Sequence, residues 1–332
     1  MSHQAKKLDR RLSIAPMMEW TDRHQRQFMR GLTTETLLYT EMVVAPALIF
    51  NKEGPKRFLD YNACEHPVAV QLGGSDGDQL VQCCKIVEEW GYDEINLNVG
   101  CPSDRVSAGR FGACLMAEPD LVSDLIKAMQ DATSLPVTIK HRIGIDQLDS
   151  YQLLCEFVEK VAATGCETFI IHARKAWLKG LSPKQNREIP PLRHDVVHDI
   201  KKDFPDLEII LNGGIQTVAE AKSHLDKVDG VMIGRAAYET PYIMATADQD
   251  IFGIEKDVVG RKEALNAFIP YVVKQIENDV YLRHMAKHLF GLFQGLRGAK
   301  SWRRYLSEHM FLDNASIDVI VNAAALVDDS QE

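Results

Sequence analysis

A cysteine stands at the end of a short apolar run in the first half of the chain. The run, 94-EINLNVG-100, leads directly into Cys101 and Pro102, and a loop rich in Gly, Ser and Arg follows. A thiol at such a position can pack as a small apolar group, bind a metal, act as a nucleophile or donate a proton. No two of the seven cysteines have C-x-x-C spacing, so we expect reduced thiols and no zinc site.

Polar side chains also stand on this run and at the ends of several other apolar runs. They are Gln71, Asn96, Asn98, Lys140, His141, Arg142, His172, Arg174, Asn212 and Arg235. Any one of them could be a satisfied polar group at a strand end. Because the ends of the strands in a parallel barrel meet at one mouth, so many of them predict a shared site. No acidic cluster accompanies them, so we expect no divalent metal.

Two glycine-containing loops are typical of a phosphate site. They are 212-NGGI-215 and 233-IGRAA-237, which end the seventh and eighth apolar runs. Glycine lets backbone N–H groups approach an anion closely, and Arg235 can add a charge-assisted hydrogen bond. Barrel enzymes often hold phosphate with the loops after their seventh and eighth strands. We therefore expect these two loops to bind phosphate.

Lys140 leaves two kinds of chemistry open. It could form a Schiff base with a carbonyl substrate, as in an aldolase. Alternatively, it could stabilise a flavin ring that becomes negatively charged on reduction, while Gln71 and His172 form hydrogen bonds to the ring edge. Met17 and Met18 would then offer soft apolar contact to a flat ring.

Eight short apolar runs, with helical stretches between them, would position these residues. The runs are 12–17, 36–43, 67–73, 94–100, 136–142, 167–174, 207–214 and 230–236. Their apolar composition, with little polar alternation, is typical of parallel strands that are covered on both faces. Eight such units predict an α/β protein with a (β/α)8 TIM barrel. A doubly wound open sheet is the main rival, but no G-x-G-x-x-G follows the first run.

The pattern changes after about residue 250. Strand-like runs stop, and apolar residues from Leu265 to Ile276 recur with helical spacing. We therefore predict a catalytic barrel domain over residues 1–250 and a small all-α domain over residues 251–332. No stretch has the length and apolar character of a signal peptide or a membrane span, so we expect a cytoplasmic protein with no membrane partner.

The distribution of charge modifies what the net charge implies. A formal net charge of −9 argues against nucleic acid as a partner. However, residues 283–304 contain six Lys or Arg and no acid, and residues 168–187 contain five and no acid. Two basic segments in an acidic chain favour binding to a phosphate backbone.

Taken together, six segments of the chain resemble the tRNA-dihydrouridine synthases. They are 14-IAPMMEWTD-22, 94-EINLNVGCPSDRV-106, 138-TIKHRIG-144, 170-IIHARKAWLKGLSP-183, 211-LNGGI-215 and 233-IGRAAY-238. The resemblance extends from about residue 10 to about residue 320, and the motif residues show no departure from it. The segment at 172–192 is similar to the A subgroup, which acts on positions 20 and 20a of the tRNA D-loop.

The resemblance implies an FMN-binding barrel, a helical domain that contacts tRNA, and NADPH as the reductant. It makes Cys101 the proton donor. It implies that the flavin contacts are Pro16, Met17, Met18, Gln71, Lys140, His172, Asn212, Gly213, Gly214, Gly234 and Arg235. It implies that the contacts to tRNA are Asn98, Lys184, Arg187, Lys300 and Arg303. Nothing in the sequence indicates DNA binding or an obligate protein partner.

The implied reaction suits a cysteine. Reduction of the C5=C6 bond of uridine to 5,6-dihydrouridine needs a hydride at C6 and a proton at C5. A thiol with an ordinary pKa of about 8.5 is mostly protonated at neutral pH and can still donate. The target base must leave its stack, so we expect the loop at 103–113 to close over it as a lid. The role of Cys114 stays open, and the other five cysteines suit packing.

Three alternative functions are each distinguished from a tRNA-dihydrouridine synthase by one feature. A small-molecule FMN enzyme that acts on a free dihydropyrimidine or dihydroorotate would not need the basic helical segment. A Schiff-base aldolase using Lys140 would contain no flavin. An RNA-binding module on a decayed barrel would not need Cys101 together with a full set of flavin contacts.

Overall fold

Eight parallel β-strands form the centre of the protein. The computed structural model describes residues 8–103 and 109–328. In chain order the strands of the described residues are β1 Leu12–Ile14, β2 Leu38–Val44, β3 Val68–Gly73, β4 Glu94–Val99, β5 Val137–Arg142, β6 Thr168–His172, β7 Glu208–Asn212 and β8 Gly230–Ile233. Neighbours pair in parallel in the order β1-β8-β7-β6-β5-β4-β3-β2.

Hydrogen bonds between β1 and the residue before β2 close the sheet into a barrel. The N–H of Ile14 donates to the carbonyl of Leu37 at 2.9 Å, and the N–H of Leu37 donates to the carbonyl of Leu12 at 3.1 Å. A sheet whose first and second strands meet in this way has no open edge. The prediction of a (β/α)8 TIM barrel is therefore confirmed, and the open sheet is wrong.

Helices follow the strands and then continue alone after β8. They are α1 Arg23–Met29, α2 Ala45–Phe50, α3 Gly54–Leu59, α4 Gly77–Trp90, α5 Pro119–Ala132, α6 Tyr151–Ala162, α7 His194–Asp203, α8 Val218–His224, α9 Arg235–Glu239, α10 Ala247–Asp250, α11 Arg261–Glu277, α12 Arg283–Ala286, α13 Ala299–His309 and α14 Asp318–Ala324. Within the described part of the chain, no helix combines the length and apolar character that crossing a membrane requires.

The two faces of each strand contribute to two different cores. In β4, Ile95, Leu97 and Val99 belong to the large core between sheet and helices. A second, smaller core fills the inside of the barrel; its buried members are Ala15, Leu37, Tyr39, Ala69, Ile170, Ile210 and Met232. The alternate β4 residues, Glu94 and Asn96, are fully buried and bond to inner-facing groups. The expectation of little polar alternation is therefore wrong for β4, which alternates along its whole length.

The helices after residue 250 pack on the barrel through α1 and the residues that begin it. The rings of Phe28 and Phe268 meet edge to face at 5.5 Å, and Nδ1 of His24 lies 2.6 Å from the hydroxyl of Tyr271. These contacts set the helical region beside the end of β1. The division of the chain at residue 250 stays a prediction.

Candidate active site

The turn that contains Cys101 is held from both sides. Oδ1 of Asn98, near the end of β4, accepts hydrogen bonds from the N–H groups of Gly100 at 3.1 Å and Cys101 at 3.0 Å. On the other side, Nε of Arg142 donates to the carbonyl of Gly100 at 2.8 Å. The thiol itself is half-buried, and its Sγ lies 3.6 Å from Oγ of Ser103. The turn therefore presents a partly accessible thiol on a fixed backbone.

Side chains from β3, β4, β5 and β7 meet at the mouth above this turn. Nδ2 of Asn98 donates to Oε1 of Gln71 at 2.7 Å, and Asn98 is the register partner of Lys140. Nζ of Lys140 donates to Oδ1 of Asn212 at 3.0 Å, while Nδ2 of Asn212 donates to the carbonyl of Met232 at 2.8 Å. The structure thus places three of the predicted flavin contacts and Asn98 in two hydrogen-bonded pairs on adjacent strands.

Positive charge dominates the mouth. Burial lowers the pKa of Lys140 to about 7, and the charge of Arg142 adds to the effect. Burial, with the charges of Arg142 and Lys140, holds the pKa of His172 well below its usual range. Burial likewise lowers the pKa values of Arg174 and Arg187, and Arg235 repels both. Several cations that repel one another favour an anionic ligand.

The thiol of Cys101 lies within this positive field. In its ionised form it would raise the pKa values of Lys140, Arg142 and Arg187, so it is close enough to interact with all three. Arg142 nevertheless donates to three carbonyl groups, because its Nη1 also donates to the carbonyl oxygens of Lys175 at 3.1 Å and Asn186 at 3.3 Å. The structure therefore gives Arg142 the task of holding loops together around the thiol.

The loop after β7 requires glycine for its conformation and its contacts. The φ angles of Gly213 and Gly214 are +116° and +80°, which L side chains rarely adopt. A Cβ atom on Gly213 would stand 2.6 Å from Cδ2 of His172, so the two predicted contacts are in direct proximity. Nε2 of His194 donates to the carbonyl of Gly213 at 2.7 Å. The backbone of this loop thus lies close to the mouth and is fixed by a histidine of α7.

The ends of β8 and β1 carry the remaining predicted flavin contacts. Arg235 follows Gly234 and forms an ion pair with Glu188, with Nη1 and Oε1 3.2 Å apart. After β1, Pro16 is half-buried and Met17 packs against the inner core. Met18 is 56% exposed, so its thioether is free to contact a ligand or solvent.

The predicted tRNA contacts lie on three different segments. Lys184 and Arg187 are exposed at the short 3-10 turn Gln185–Arg187, which follows β6. Lys300 is exposed on α13, and Nη1 of Arg303 donates to Oε1 of Gln294 at 2.6 Å. Asn98 is almost fully buried and uses its oxygen and one N–H within the protein. Its role as a tRNA contact stays a prediction.

A cavity of about 390 Å³ lies between the helical segment and the barrel, beside the mouth. Its walls include Arg303 and Lys287 from the helices and Trp20, which follows β1. The ring of Trp20 stacks on Tyr238 of α9 with centroids 4.3 Å apart. Arg303 therefore faces the same space as an aromatic pair of the barrel.

One residue expected at the mouth lies elsewhere. The ring of His141 points outward, 5.1 Å from the ring of Phe157 in α6, because neighbouring residues of a strand face opposite sides. Its Nδ1 lies 2.7 Å from the carbonyl oxygen of Arg142, and burial lowers its pKa to about 4. The predicted lid at 103–113 includes residues 104–108, which lie outside the described residues.

The sequence predicted neither the contact of His194 with Gly213 nor the carbonyl groups that Arg142 holds. A period of two in Thr138, Lys140 and Arg142 was the available signal for Arg142, since all three face the inside of the barrel. No sequence signal pointed to His194. Among residues 8–103 and 109–328, no group of three His, Cys, Asp or Glu could hold a metal ion.

The fold and the site together define the class of protein. A (β/α)8 barrel carries a half-buried thiol beside a cationic mouth, and a basic helical segment lies next to that mouth. The chain belongs to the dihydrouridine synthase family: the family model described as "Dihydrouridine synthase (Dus)" matches residues 13–327.

Curated relatives are similar over nearly the whole chain. A protein of Yersinia pestis named tRNA-dihydrouridine(20/20a) synthase is 55% identical over 321 residues, which cover 96% of this chain and 92% of the relative. Proteins with the same name from Vibrio vulnificus (strain CMCP6) and Escherichia coli (strain K12) are each 54% identical. The first alignment covers 96% of this chain and 97% of the relative, and the second covers 97% and 92%.

Proposed function

We propose that this protein reduces uridine to 5,6-dihydrouridine at positions 20 and 20a of the tRNA D-loop. The observation that carries the proposal is the position of the Cys101 turn. Asn98 and Arg142 hold this turn near Lys140 at the mouth of the barrel. Addition of hydrogen across C5=C6 requires a proton donor beside the group that supplies the hydride, and the thiol of Cys101 would be that donor. The relatives named tRNA-dihydrouridine(20/20a) synthase support the substrate and the positions.

The residues of the mouth fit an FMN. Lys140 and Arg235 supply positive charge and hydrogen-bond donors, and His172 adds a neutral ring because burial holds its pKa well below its usual range. Burial and the charge of Arg142 lower the pKa of Lys140, and a bound anion would offset both effects. The glycine loop after β7 brings backbone close to His172, where a side chain at Gly213 would collide. These residues would hold the phosphate and the ring, together with Pro16, Met17, Met18, Gln71, Asn212, Gly214 and Gly234.

The bound flavin, once reduced by NADPH, would supply the hydride that is added to C6. Cys101 holds the proton for C5, and the backbone bonds from Asn98 and Arg142 keep its thiol on one face of the substrate. Lys140 provides positive charge where negative charge develops. Burial of these groups limits water around the thiol and strengthens each charge interaction.

The basic segments would hold the RNA while the base is outside its stack. Lys184 and Arg187 lie on the same connection, after β6, as the mouth residue Arg174, and Lys300 and Arg303 lie on α13. Together they flank the mouth with cations that suit phosphate groups. A substrate of this kind is cytoplasmic tRNA, so we place the protein in the cytoplasm.

The test combines a cofactor measurement with a map of the RNA. The purified protein should show flavin absorbance, and tRNA from a strain that lacks the protein should lose dihydrouridine at positions 20 and 20a. Normal dihydrouridine at both positions, in a strain with no second enzyme for them, would refute the assignment. Reduction of free uracil, or oxidation of dihydroorotate, at a rate that tRNA does not match would favour the small-molecule alternative.

A further inference from the structure

A chain of hydrogen bonds runs inside the barrel from its floor to the Cys101 turn. Oγ1 of Thr138 donates to Oε1 of Glu94 at 2.7 Å, and Nδ2 of Asn96 donates to Oγ1 of Thr138 at 2.9 Å. Nε2 of Gln71 donates to Oδ1 of Asn96 at 2.8 Å, and Asn98 continues the chain to Gln71 at 2.7 Å. We refer to Glu94, Thr138, Asn96, Gln71 and Asn98 as the polar relay.

The ion pair at the floor determines the direction of the first bonds. Oε2 of Glu94 accepts from Nε of Arg10 at 2.6 Å, and Oε1 accepts from the hydroxyl of Tyr39 at 2.5 Å. A carboxylate in an ion pair accepts hydrogen bonds and donates none. The hydroxyl of Thr138 must therefore give its one hydrogen to Glu94. Its oxygen can then only accept, so Asn96 has to turn its NH2 group towards it.

The Cys101 turn determines the direction at the other end. The peptide N–H groups of Gly100 and Cys101 can only donate, so Asn98 must turn its oxygen to them. The NH2 group of Asn98 then faces Gln71, whose side-chain oxygen must accept the hydrogen bond. Both ends thus require the same orientation of every amide between them. All bonds of the polar relay run in one direction, from the turn towards Glu94.

We propose that Glu94, Thr138 and Asn96 are positioning residues of the proposed reaction, on which this inference rests. They set the orientation of the Gln71 and Asn98 amides and so hold the Cys101 turn in its working geometry. A donor that points along such a chain to an anion also becomes a better acceptor at its other end, which strengthens the hold of Asn98 on the turn.

The orientation has a consequence for what the mouth presents. Gln71 and Asn98 each use one N–H and their oxygen within the polar relay, and each keeps one further N–H. A flipped amide would instead turn an oxygen towards a ligand. Carbonyl oxygens of a flavin or a uracil need donors, so the fixed polarity favours such ligands over ones that present N–H groups.

A purely structural role does not account for these groups. Apolar side chains, among them Ala69, Ile170 and Met232, pack inside the barrel beside these groups. Apolar side chains could fill the same space without the desolvation cost of five polar groups. The polar relay instead connects the floor to Oδ1 of Asn98, which accepts from both N–H groups of the Cys101 turn.

The test compares three substitutions in the same cluster. Thr138→Val removes the hydroxyl that links Glu94 to Asn96, whereas Thr138→Ser keeps it. Tyr39→Phe removes a different donor to the same Glu94 oxygen and leaves the direction of the polar relay unchanged. The measurements are the single-turnover rate of uridine reduction by prereduced protein and the alkylation rate of Cys101 by iodoacetamide. FMN content and melting temperature are recorded for each variant.

We expect Thr138→Val to slow reduction about tenfold, the effect of one lost hydrogen bond, and to change the alkylation rate of Cys101 about threefold. The exposed Cys64 is the internal reference, and its alkylation should not change. Thr138→Ser and Tyr39→Phe should leave both quantities within about twofold of wild type, even where Tyr39→Phe lowers the melting temperature.

Two results would overturn the inference. In one, Thr138→Val matches Thr138→Ser in both measurements. In the other, Tyr39→Phe reproduces the effects of Thr138→Val, which would mean that general loosening of the floor is responsible. If the wild-type protein binds no FMN or reduces no tRNA, the proposed function fails, and the alkylation of Cys101 still tests the polar relay.

Discussion

Arg142 holds the peptide that precedes the thiol: its Nε donates to the carbonyl of Gly100 at 2.8 Å, and its Nη1 reaches two further carbonyls. The planar guanidinium carries five N–H donors in a fixed fork, so it can serve several carbonyls from one position. The residue next to it in sequence, His141, faces the opposite side of the sheet. Arg142 therefore links β5 to the Cys101 turn and to the loop after β6.

Replacing Arg142 by lysine should weaken this link. The ammonium cannot reach all three carbonyls, and each carbonyl left buried without a partner costs about 1–3 kcal/mol. We expect Arg142→Lys to lower the urea midpoint and to slow uridine reduction about tenfold or more. Arg193→Lys is the matched control, because Arg193 is exposed and pairs with the exposed Asp195. An unchanged midpoint for Arg142→Lys would contradict the linking role.

Removing the thiol should separate the two halves of the reaction. Cys101→Ala leaves the predicted flavin contacts intact, so FMN content and NADPH oxidation should stay at the wild-type level. Uridine reduction should fall by about 10²–10⁴-fold, the usual contribution of a general acid. Cys114→Ala is the control, because Sγ of Cys114 bonds to the carbonyl of Phe111 within its own turn. If Cys101→Ala reduces tRNA normally, another group supplies the proton.

Lys140 should make the flavin-free protein sensitive to pH. Burial lowers its pKa in the folded protein to about 7, below its ordinary value of 10.5 in the unfolded chain. Its charge therefore costs stability below pH 7, and the cost is relieved as pH rises from about 7 to about 10. Without FMN, Lys140→Met should unfold at a higher temperature than wild type at pH 6–7, with an advantage that shrinks towards pH 10.

The same substitution should have the opposite effect in the presence of FMN. A bound anion would favour the charged form of Lys140, so wild type should gain more stability from added FMN than Lys140→Met does. Lys160→Met is the control, since Lys160 is exposed on α6 and pairs with Asp120. Equal stabilisation of both proteins by FMN would show that Lys140 does not contact the cofactor.

The sequence predicted the elements of the barrel better than the directions of its side chains. All eight apolar runs contain strands, because the outer face of each strand packs against helices and needs apolar residues. The grouping of Gln71, Asn98, Lys140 and Asn212 followed from their places at strand ends. His141 was misplaced because a list of strand-end residues ignores the alternation of faces.

Other features depend on contacts between distant segments and could not be predicted locally. His194 reaches Gly213 only because α7 packs beside the loop after β7. The polar relay unites residues of β3, β4 and β5 whose separations in sequence exceed twenty positions. The sequence 94-EINLNV-99 indicates part of this arrangement, because its polar residues alternate with apolar ones. Only the closed barrel shows which groups the polar residues bond to.

Asp22 should stabilise the contact between the barrel and the helical region. Its carboxylate lies 3.0 Å from Nζ of Lys287 and 2.9 Å from Nε2 of His288, and it also caps α1. Burial alone would raise the pKa of Asp22, but the hydrogen bond from His288 and the charge of Lys287 outweigh it and hold the pKa well below its usual range. This stability is therefore present above about pH 4 and is lost as pH falls below that value.

Asp22→Asn keeps an oxygen for the cap and removes the charge. We expect it to lower the free energy of unfolding by about 1 kcal/mol or more at pH 7, with a difference that shrinks as pH falls below about 4. Urea titrations at several pH values measure this difference. Asp195→Asn, at an exposed ion pair, should change little at any pH. A deficit for Asp22→Asn that does not depend on pH would mean that shape rather than charge is responsible.

The basic face of α13 should control the salt dependence of tRNA binding. Lys300 is exposed, and Arg303 faces the cavity that Trp20 and Tyr238 border. If each neutralises one phosphate, Lys300→Gln together with Arg303→Gln should weaken binding and reduce the slope of log K against log [salt] by about 1.4–1.8. Binding curves at several salt concentrations give that slope.

The control for charge removal lies on the outer helices. Lys127→Gln together with Lys160→Gln removes the same number of charges from α5 and α6, which carry none of the residues of the mouth. This pair should leave the slope unchanged, because its side chains are already paired with Asp131 and Asp120. Equal slopes for the α13 variant and wild type would mean that the RNA binds elsewhere, and equal losses in both variants would mean that only total charge matters.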